Sequence, residues 1–247
     1  TFENSTLTNN NLGGQGPDYT GPNTMRYENV GHIGGEPFDI VVENVTTYDT
    51  LRADTKNGII GQMSNFNIAY GSHLKLIVSF KKKDNTPVQI SSFDVGLIDM
   101  KTSAHQPSCS EWVSVNSMDG EFSYGVHPNS TLEVIENGTE TYFLSTEVDP
   151  ESDSHVDFFL DNLTETELRR AVNIRYYDTS AFSFTFGCEE PVVQDGVVHL
   201  AGENCKKYNA NGTEYGGRNF QFVGYSTIDT CDSGGSDTHT MSVPPRA

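Results

Sequence analysis

Apolar and polar residues alternate along most of the chain. Over residues 74–80 and 182–186 every second residue is apolar, and in the second range each of these is Phe. Because successive side chains of a strand point to opposite faces of a sheet, this period of two predicts β-strands with one buried face. The same pattern predicts strands at residues 38–42, 59–69, 86–99, 111–116, 121–127, 131–135, 142–148, 172–177 and 220–222.

The spacing of these strands predicts the fold class. Short strands separated by Asn-Gly, Asp-Gly and Gly-Gly turn signals are typical of β-sandwiches and barrels. Helical patterns do not alternate with the strands, which disfavours a parallel α/β sheet. We therefore expect an all-β fold, an antiparallel β-sandwich of the Ig-like or jelly-roll-like kind, over residues 25–231.

One short helix is expected near residues 164–171. Thr164 can serve as its N-cap and Glu167 as the third helical residue, which together form a capping box. The alternating pattern resumes at Val172, so the helix has to be short.

Both ends of the chain differ from the middle. Among residues 1–10 only Phe2 and Leu7 are apolar, and glycines and prolines disfavour regular structure in the residues that follow. We expect an extended N-terminal arm with a Gly/Pro-rich linker over residues 1–24, and a loose tail over 232–247.

Composition narrows the classes of function. The chain has 247 residues, a formal net charge of −19 and 35% hydrophobic residues. Such an acidic surface argues against nucleic acid as a partner, since phosphates require clustered Lys and Arg. No apolar run reaches the roughly 18 residues of a membrane span. The chain lacks a signal peptide and an initial Met, which suggests a processed, extracellular protein.

Four cysteines, Cys109, Cys188, Cys205 and Cys231, lack the paired spacing of a zinc site. An even number in a secreted chain predicts two disulfides, for which three connectivities exist. The short loop between Cys188 and Cys205 favours Cys188–Cys205 together with Cys109–Cys231. Four buried free thiols are the alternative.

Six Asn-x-Ser/Thr sequons predict N-glycosylation. Asn44 is the doubtful site, because it shares the inward parity of residues 38–42. The sequons lie at Asn4, Asn44, Asn129, Asn137, Asn162 and Asn211.

Known catalytic motifs are missing from the sequence. It contains neither a G-x-S-x-G elbow nor an H-E-x-x-H pair, and no dinucleotide fingerprint follows a strand. We therefore expect a protein that is not an enzyme and that needs no cofactor. A hydrolase with a carboxylate pair distant in sequence is one alternative, since 34 acidic residues are present.

Calcium is the metal that the acidic residues could hold, because oxygen-rich loops suit a hard cation. The candidate ligands are Asp149, Glu151 and Asp153 in one acidic loop, and Asp99 at the end of an inward-facing stripe. A solvated acidic loop is the simpler interpretation of the first three. For Asp99 we expect a strand that has already emerged into water.

The N-terminal arm has nothing of its own to bury against. It can be disordered, or it can pair with a sheet edge of a second copy by strand addition. The second arrangement is head-to-tail, and it produces a filament unless it closes into a ring.

Several segments carry a resemblance to a known group of proteins. They are NNNLGGQGPD at 9–18, MRYENVG at 25–31, FDIVV at 38–42, NGIIG at 57–61 and FSFTFG at 182–187. With them the chain resembles secreted β-sandwich proteins of aquatic microbes, particularly microalgae, and the protomers of extracellular helical fibrils from pond water.

This resemblance implies an Ig-like domain completed by the N-terminal strand of another protomer. Residues 1–10 would be the donor strand, with residues 11–24 as the connector. The assembly residues would be Phe2, Asn4, Ser5, Thr6, Leu7 and Thr8.

The sequence thus predicts a glycosylated structural subunit of an extracellular filament, whose partners are copies of itself. The alternative of a different class is a calcium-dependent carbohydrate-binding or adhesion module, with Trp112 or Tyr215 as an exposed stacking platform. For Trp112, packing against the core is the simpler interpretation.

Overall fold

The computed structural model describes residues 2–103, 109–149, 163–194, 197–201, 205, 211 and 217–225. In this part of the chain the backbone forms seventeen strands and two short helices. The strands are β1 (Thr6–Asn10), β2 (Thr24–Ile33), β3 (Glu36–Asn44), β4 (Gly58–Ile60), β5 (Met63–Ala69), β6 (His73–Lys81), β7 (Ile90–Ile98), β8 (Thr102–Ser103), β9 (Ser110–Asn116), β10 (Phe122–Val126), β11 (Leu132–Asn137), β12 (Glu140–Ser145), β13 (Val148–Asp149), β14 (Val172–Thr179), β15 (Ala181–Gln194), β16 (Val197–Ala201) and β17 (Gly217–Tyr225).

These strands form two sheets. The larger has the order β1-β2-β3-β6-β15-β9-β12-β11, with β8, β13 and β16 attached beside this path. The smaller has the order β10-β14-β7-β17-β5-β4. Neighbours within each order pair antiparallel, so the expected all-β antiparallel sandwich is confirmed. The short contact between β8 and β13 is parallel.

Aromatic rings from the two sheets interlock between the layers. The ring of Phe184 in β15 meets that of Phe222 in β17 edge-on, with centroids 5.7 Å apart. Phe80 in β6 contacts Phe93 in β7 at 4.7 Å. The alternating phenylalanines of β15 therefore point inward, as the period of two predicts. The largest fully buried side chains are Trp112, Tyr27, Tyr176, Phe2, Phe66, Phe80, Phe93, Phe143, Phe182, Phe184, Phe186 and Phe222.

The expected helix near residues 164–171 is present. Helix α1 covers Ala53–Lys56 and α2 covers Glu165–Arg169. The Thr164 hydroxyl accepts from the Glu167 N–H at 3.3 Å, and the Glu167 carboxylate accepts from the Thr164 N–H at 2.6 Å. The capping box is therefore confirmed. Neither helix of the described residues has the length or apolar content to span a lipid bilayer.

Candidate assembly site at the N-terminal segment

Residues 2–10, called the N-terminal segment below, pack against the body of the same chain. Strand β1 pairs antiparallel with β2 and forms one edge of the larger sheet. Leu7 stands opposite Tyr27, and Asn9 opposite Arg26, so that Thr8 is an extra residue in the ladder. This β-bulge lets the segment bend towards the space between the sheets.

Phe2 anchors the segment in the core. Its side chain is 0% exposed, and its ring centroid lies 4.7 Å from that of Tyr27 and 5.3 Å from that of Phe222. Because Tyr27 belongs to the larger sheet and Phe222 to the smaller, the Phe2 ring fills the seam between the two layers. Full burial of a Phe side chain is worth roughly 1.5–3 kcal/mol relative to exposure.

Polar contacts hold the start of the segment against the turn between β4 and β5. The Phe2 N–H donates to the Gln62 carbonyl at 3.2 Å. The Gln62 amide donates to the Glu3 carboxylate at 2.8 Å. The Ser5 N–H and hydroxyl both donate to the Phe2 carbonyl, at 3.1 and 2.7 Å, and so close a tight turn.

The turn at Phe2–Ser5 and the bulge at Thr8 allow both apolar residues of the segment to face the core. Phe2 and Leu7 have opposite parity, so a regular strand could direct only one of them inward. In the structure Phe2 precedes the turn and is fully buried, while Leu7 packs half-buried against the same core. Both apolar residues of the segment therefore contribute to burial.

The far end of the segment closes the same side of the sandwich. The Asn10 side-chain amide donates to the Asn57 carbonyl, just before β4, at 2.9 Å. Strand β4 is the edge of the smaller sheet, as β1 is of the larger one. The segment thus covers the place where the two sheet edges meet.

The residues after β1 bond both to β1 and to the chain just before β2. Asn10 and Asp18 are linked twice, by the Asn10 N–H to the Asp18 carboxylate at 2.7 Å and by the Asp18 N–H to the Asn10 carbonyl at 3.1 Å. The Gly16 N–H donates to the Asn11 side chain at 2.9 Å, and Leu12 is fully buried. Asn11 and Gly13 also bond across to residues 21–24, with the Asn11 N–H donating to the Thr24 carbonyl at 3.0 Å, and the exposed residues 19 and 20 lie between the two parts.

The expectation that residues 1–24 lack core contacts is wrong. Phe2 and Leu12 are fully buried, and residues 6–10 form a strand of the sandwich rather than a free arm. Few apolar residues are needed for this, because a single aromatic ring fills the seam.

The cysteine pairing also differs from the expected one. Cys109 and Cys205 form a disulfide, and Cys188 is buried without one, so the pairing of Cys188 with Cys205 is wrong. The register places Cys188 opposite Glu111, which puts Cys109, two residues earlier, on the same inner face. Loop length therefore does not identify the partner of Cys205. Cys231 lies outside the described residues.

A buried cluster of charges links the two sheets beside this disulfide. The Glu111 carboxylate lies 2.9 Å from Arg218 Nε and accepts the Lys101 N–H at 2.9 Å. The Lys101 ammonium in turn lies 3.0 Å from the Asp99 carboxylate, which Arg170 approaches to 3.6 Å. Burial raises the pKa of Glu111 to about 7, although the Arg218 charge opposes this shift. Burial, with a contribution from Glu111, likewise raises the pKa of the Cys188 thiol to about 12.

This cluster corrects the interpretation of Asp99. The residue has not emerged into water, since Lys101 and Arg170 pair with its carboxylate. Two protein cations therefore supply the positive charge for which calcium was considered. Asp149 ends β13, whereas Glu151 and Asp153 lie outside the described residues. Within the part of the chain that the structure describes, acidic, His and Cys side chains form no cluster of metal-binding geometry.

Trp112 is buried rather than exposed. Its side chain is 1% exposed, and its indole lies directly over Gly187, where an added Cβ would come within 2.5 Å of the ring. Packing, the simpler interpretation of this residue, is confirmed. Tyr215 lies outside the described residues.

The sequons differ in their accessibility. Asn4, Asn129 and Asn211 are exposed, and Asn137 is half-buried. Asn44 is half-buried at the last position of β3, and its amide donates to the Thr46 carbonyl at 2.9 Å. Asn162 lies outside the described residues. Glycosylation at these sites stays a prediction.

Sequence reasoning missed Glu111 and the ring partners of Phe2. A signal for Glu111 existed, because it shares the inward parity of Val113 and Val115 within the predicted strand 111–116. For Tyr27 and Phe222 there was no such signal, since only the tertiary fold brings them to residue 2.

Comparisons with known proteins found neither a family model nor a curated protein that matches this chain. Bacterial adhesin domains are among the solved structures that resemble it. The N-terminal domain of the Streptococcus gordonii adhesin Sgo0707 has a TM-score of 0.49 and 11% identity, covering 92% of this chain and 51% of that one.

The adhesin domain of PrgB from Enterococcus faecalis appears twice among them. Bound to DNA it gives a TM-score of 0.43 and 13% identity, over 67% of this chain and 60% of that one. Without DNA it gives 0.39 and 14%, over 72% and 61%. The chain thus spans about half to three-fifths of these structures. With such TM-scores, they carry no argument about what this chain binds.

Proposed function

We propose that this protein is a structural subunit of an extracellular filament, in which the N-terminal segment of each copy occupies the seam of the next. The carrying observation is the complete burial of Phe2, at the very start of the described chain, between rings of both sheets. The resemblance to fibril protomers of pond water supports the same interpretation.

Every contact of the segment can be made by a second copy. Phe2 meets Gln62, Tyr27 and Phe222, which are distant in sequence and belong to the body of the sandwich. Exchange of an identical element between copies replaces each of these contacts with an equal one, so the difference in free energy between the closed and exchanged forms is small. Concentration and strain in the hinge then decide which form prevails.

The chain offers a defined hinge for the exchange. The two Asn10–Asp18 hydrogen bonds tie residue 18 to β1, and in the exchanged form the bonds of Asn11 and Gly13 to residues 21–24 would be made with the second copy. Residues 19–20 follow residue 18 and are exposed. We place the hinge there, so that the exchanged unit is longer than the ten residues expected from the sequence.

An extracellular location agrees with the covalent chemistry. The Cys109–Cys205 disulfide suits an oxidising compartment. The exposed sequon at Asn4 points to solvent from the turn between Phe2 and β1, so a glycan there is compatible with burial of the ring. A net charge of −19 would keep neighbouring filaments apart by repulsion.

The alternative of a carbohydrate-binding module gains no such support. Its proposed platform residue Trp112 is buried, and its calcium candidate Asp99 is engaged by Lys101 and Arg170.

Cross-linking of two different variants tests the exchange. Glu3 and Gln62 touch at 2.8 Å, so a Glu3→Cys chain and a Gln62→Cys chain should be joined by a short thiol cross-linker when they are mixed under assembly conditions. Each single variant alone controls for the native cysteines, and electron microscopy of the same samples shows whether filaments form.

The double variant Glu3→Cys/Gln62→Cys completes the design. If it forms only a link within one chain, and the mixture of single variants gives no joined pair, the segment stays on its own body and the proposal is wrong. Joined pairs without filaments would limit exchange to closed rings or dimers.

A further inference from the structure

Three consecutive asparagines, Asn9, Asn10 and Asn11, stand at the end of β1 and are called the amide triplet below. Asn9 is half-buried, while Asn10 is 7% and Asn11 1% exposed. Buried side-chain amides need hydrogen-bond partners. The position of those partners therefore indicates the role of the triplet.

Two of the three amides bond to the chain just before β2. The Asn9 side-chain Nδ2 donates to the Pro22 carbonyl at 3.0 Å and also to the Thr24 carbonyl. The Asn11 side-chain Nδ2 donates to the Gly21 carbonyl at 3.0 Å. These acceptors are main-chain atoms, so the two amides recognise the course of the backbone over residues 21–24.

Asn10 connects the segment to the other sheet. It stands opposite Met25 in the ladder between β1 and β2, while its side-chain Nδ2 donates to the Asn57 carbonyl at 2.9 Å. Gly58, the first residue of β4, lies beside this bond, since a Cβ added there would be 3.9 Å from Asn10 Nδ2. Asn10 thus fixes the position of β1 relative to the edge of the smaller sheet.

Stability alone does not explain an amide at this position. The Asn10 Oδ1 atom finds no hydrogen-bond partner among the described residues. A buried polar atom without a partner costs free energy, which an apolar side chain of similar size would avoid. In coiled coils, a single buried Asn selects one register at a cost in stability.

The apolar pattern of β1 leaves its register weakly defined. Leu7 is the one apolar residue in the sequence of this strand, and a strand that is polar on both faces slips easily. The triplet supplies what the apolar pattern lacks, because Thr8 precedes it and Leu12 follows it. A shift by one residue would put Thr8 or Leu12 at one of the three positions, and neither side chain carries an amide.

We propose that the amide triplet sets the register of the N-terminal segment on the body that receives it. On the same chain this holds with or without exchange. In a filament, where the inference rests on the proposed function, residues 21–24 and Asn57 of a second copy would receive the triplet. Residues 9–11 would then determine how neighbouring copies align.

Two engineered disulfides in the full chain report the register. Thr6 and Glu28 are partners in the ladder, whereas Asn4 lies outside it. The Thr6→Cys/Glu28→Cys chain reports the native register, and the Asn4→Cys/Glu28→Cys chain reports a segment displaced by two residues. The initial rates of disulfide formation are compared in dilute, monomeric protein. Loosening of β1 would slow both reactions, but only a change of register would lower the ratio of the native to the displaced rate.

Substitution of Asn10 in both reporter chains provides the test. Asn10→Leu removes the amide and keeps an apolar side chain of similar size, and Asn10→Asp keeps the shape but removes the donor. Each should lower the ratio by about fivefold, the factor that corresponds to one hydrogen bond of ordinary net strength. Asn129→Leu, the same substitution at an exposed asparagine, is the control and should leave the ratio unchanged. An unchanged ratio in either Asn10 variant would overturn the proposal.

Electron microscopy of the unmodified chain separates this inference from the proposed filament. A ratio that falls in the Asn10 variants, in a protein that forms no filaments, would support the triplet and contradict the filament. Filaments together with an unchanged ratio would contradict the triplet alone.

Discussion

The N-terminal segment and the two-stranded ribbon of residues 190–194 and 197–201 both lie at the periphery, but their apolar side chains differ in burial. Phe2 is 0% exposed, whereas Val192, Val193 and Val197 are 39–45% exposed. The difference lies in what stands behind each strand. The segment enters the seam between two sheets, while the ribbon pairs only within itself in the part of the chain that the structure describes. Apolar side chains on a peripheral strand therefore stabilise the fold only where a second sheet packs against them.

The largest change in the free energy of unfolding is expected when the buried ring of Phe2 is removed. Phe2→Ala should lower the free energy of unfolding by about 3–5 kcal/mol, because it leaves a cavity between Tyr27 and Phe222. Urea denaturation at a concentration where the protein is monomeric measures the loss.

Two controls accompany this substitution. Tyr19→Ala removes an aromatic ring that is 65% exposed in the same stretch of chain, and Val192→Ala trims the ribbon. Each should change the free energy of unfolding by less than about 0.5 kcal/mol. A loss at Tyr19 as large as that at Phe2 would show that burial in the seam is not the cause.

A second test concerns Glu111, which is buried like Phe2 but can ionise. The pKa of Glu111 is raised from 4.5 to about 7 in the fold, with Arg218, Lys101, Asp99 and Cys188 around it. The folded chain therefore holds this proton more tightly than the unfolded one, and stability falls as the pH rises from about 4.5 to about 7.

The size of this pH effect is on the order of 3 kcal/mol. Glu111→Gln, which cannot ionise, should flatten that part of the stability profile when urea denaturation is repeated between these pH values. Glu147→Gln, at the more exposed edge of the same cluster, is the matched control and should leave the slope in place. An unchanged slope in Glu111→Gln would show that another group titrates.

The smallest expected effect concerns the connection between the N-terminal segment and β2. A Cβ added at Gly21 would lie 2.0 Å from the Asn9 side-chain oxygen and 3.3 Å from the Asp18 carbonyl. Because the Asn9 amide donates to the Pro22 and Thr24 carbonyls, Gly21→Ala should loosen the segment by about 1 kcal/mol. Faster hydrogen exchange in β1 would report this.

Thr20→Ala, at the exposed neighbouring position, is the control for this change and should leave exchange in β1 unaltered. If Gly21→Ala also leaves it unaltered, Asn9 can rotate away and is not needed to hold the segment.

Much of the fold was predictable from local pattern. Alternation over 74–80 and 182–186 placed β6 and the inner part of β15 correctly, because each has one face on the core. The capping box at Thr164 predicted where α2 begins. The predicted strand 59–69 is in fact two strands, since Gly61 has a φ of 57° and forms a turn before β5.

The candidate site was less predictable, because it depends on contacts between distant residues. The sequence singled out Phe2 and Leu7, but it gave no sign that a turn and a bulge would bring both to the core. The disulfide joins Cys109 to Cys205 over a sequence separation of 96 residues, which loop length did not predict. Local periodicity shows which face of a strand is apolar, but it does not show which distant residues pack against that face.

The Cys109–Cys205 bridge has a mechanical consequence. Tension applied between a point before residue 109 and one after residue 205 passes through the sulfur–sulfur bond instead of the chain between them. With a sequence separation of 96 residues, about 300 Å of extensible polypeptide is withheld from stretching. A pulled molecule could lengthen only at its outer portions, while the strands between the two cysteines, β9 to β16, would bear no load along their backbone.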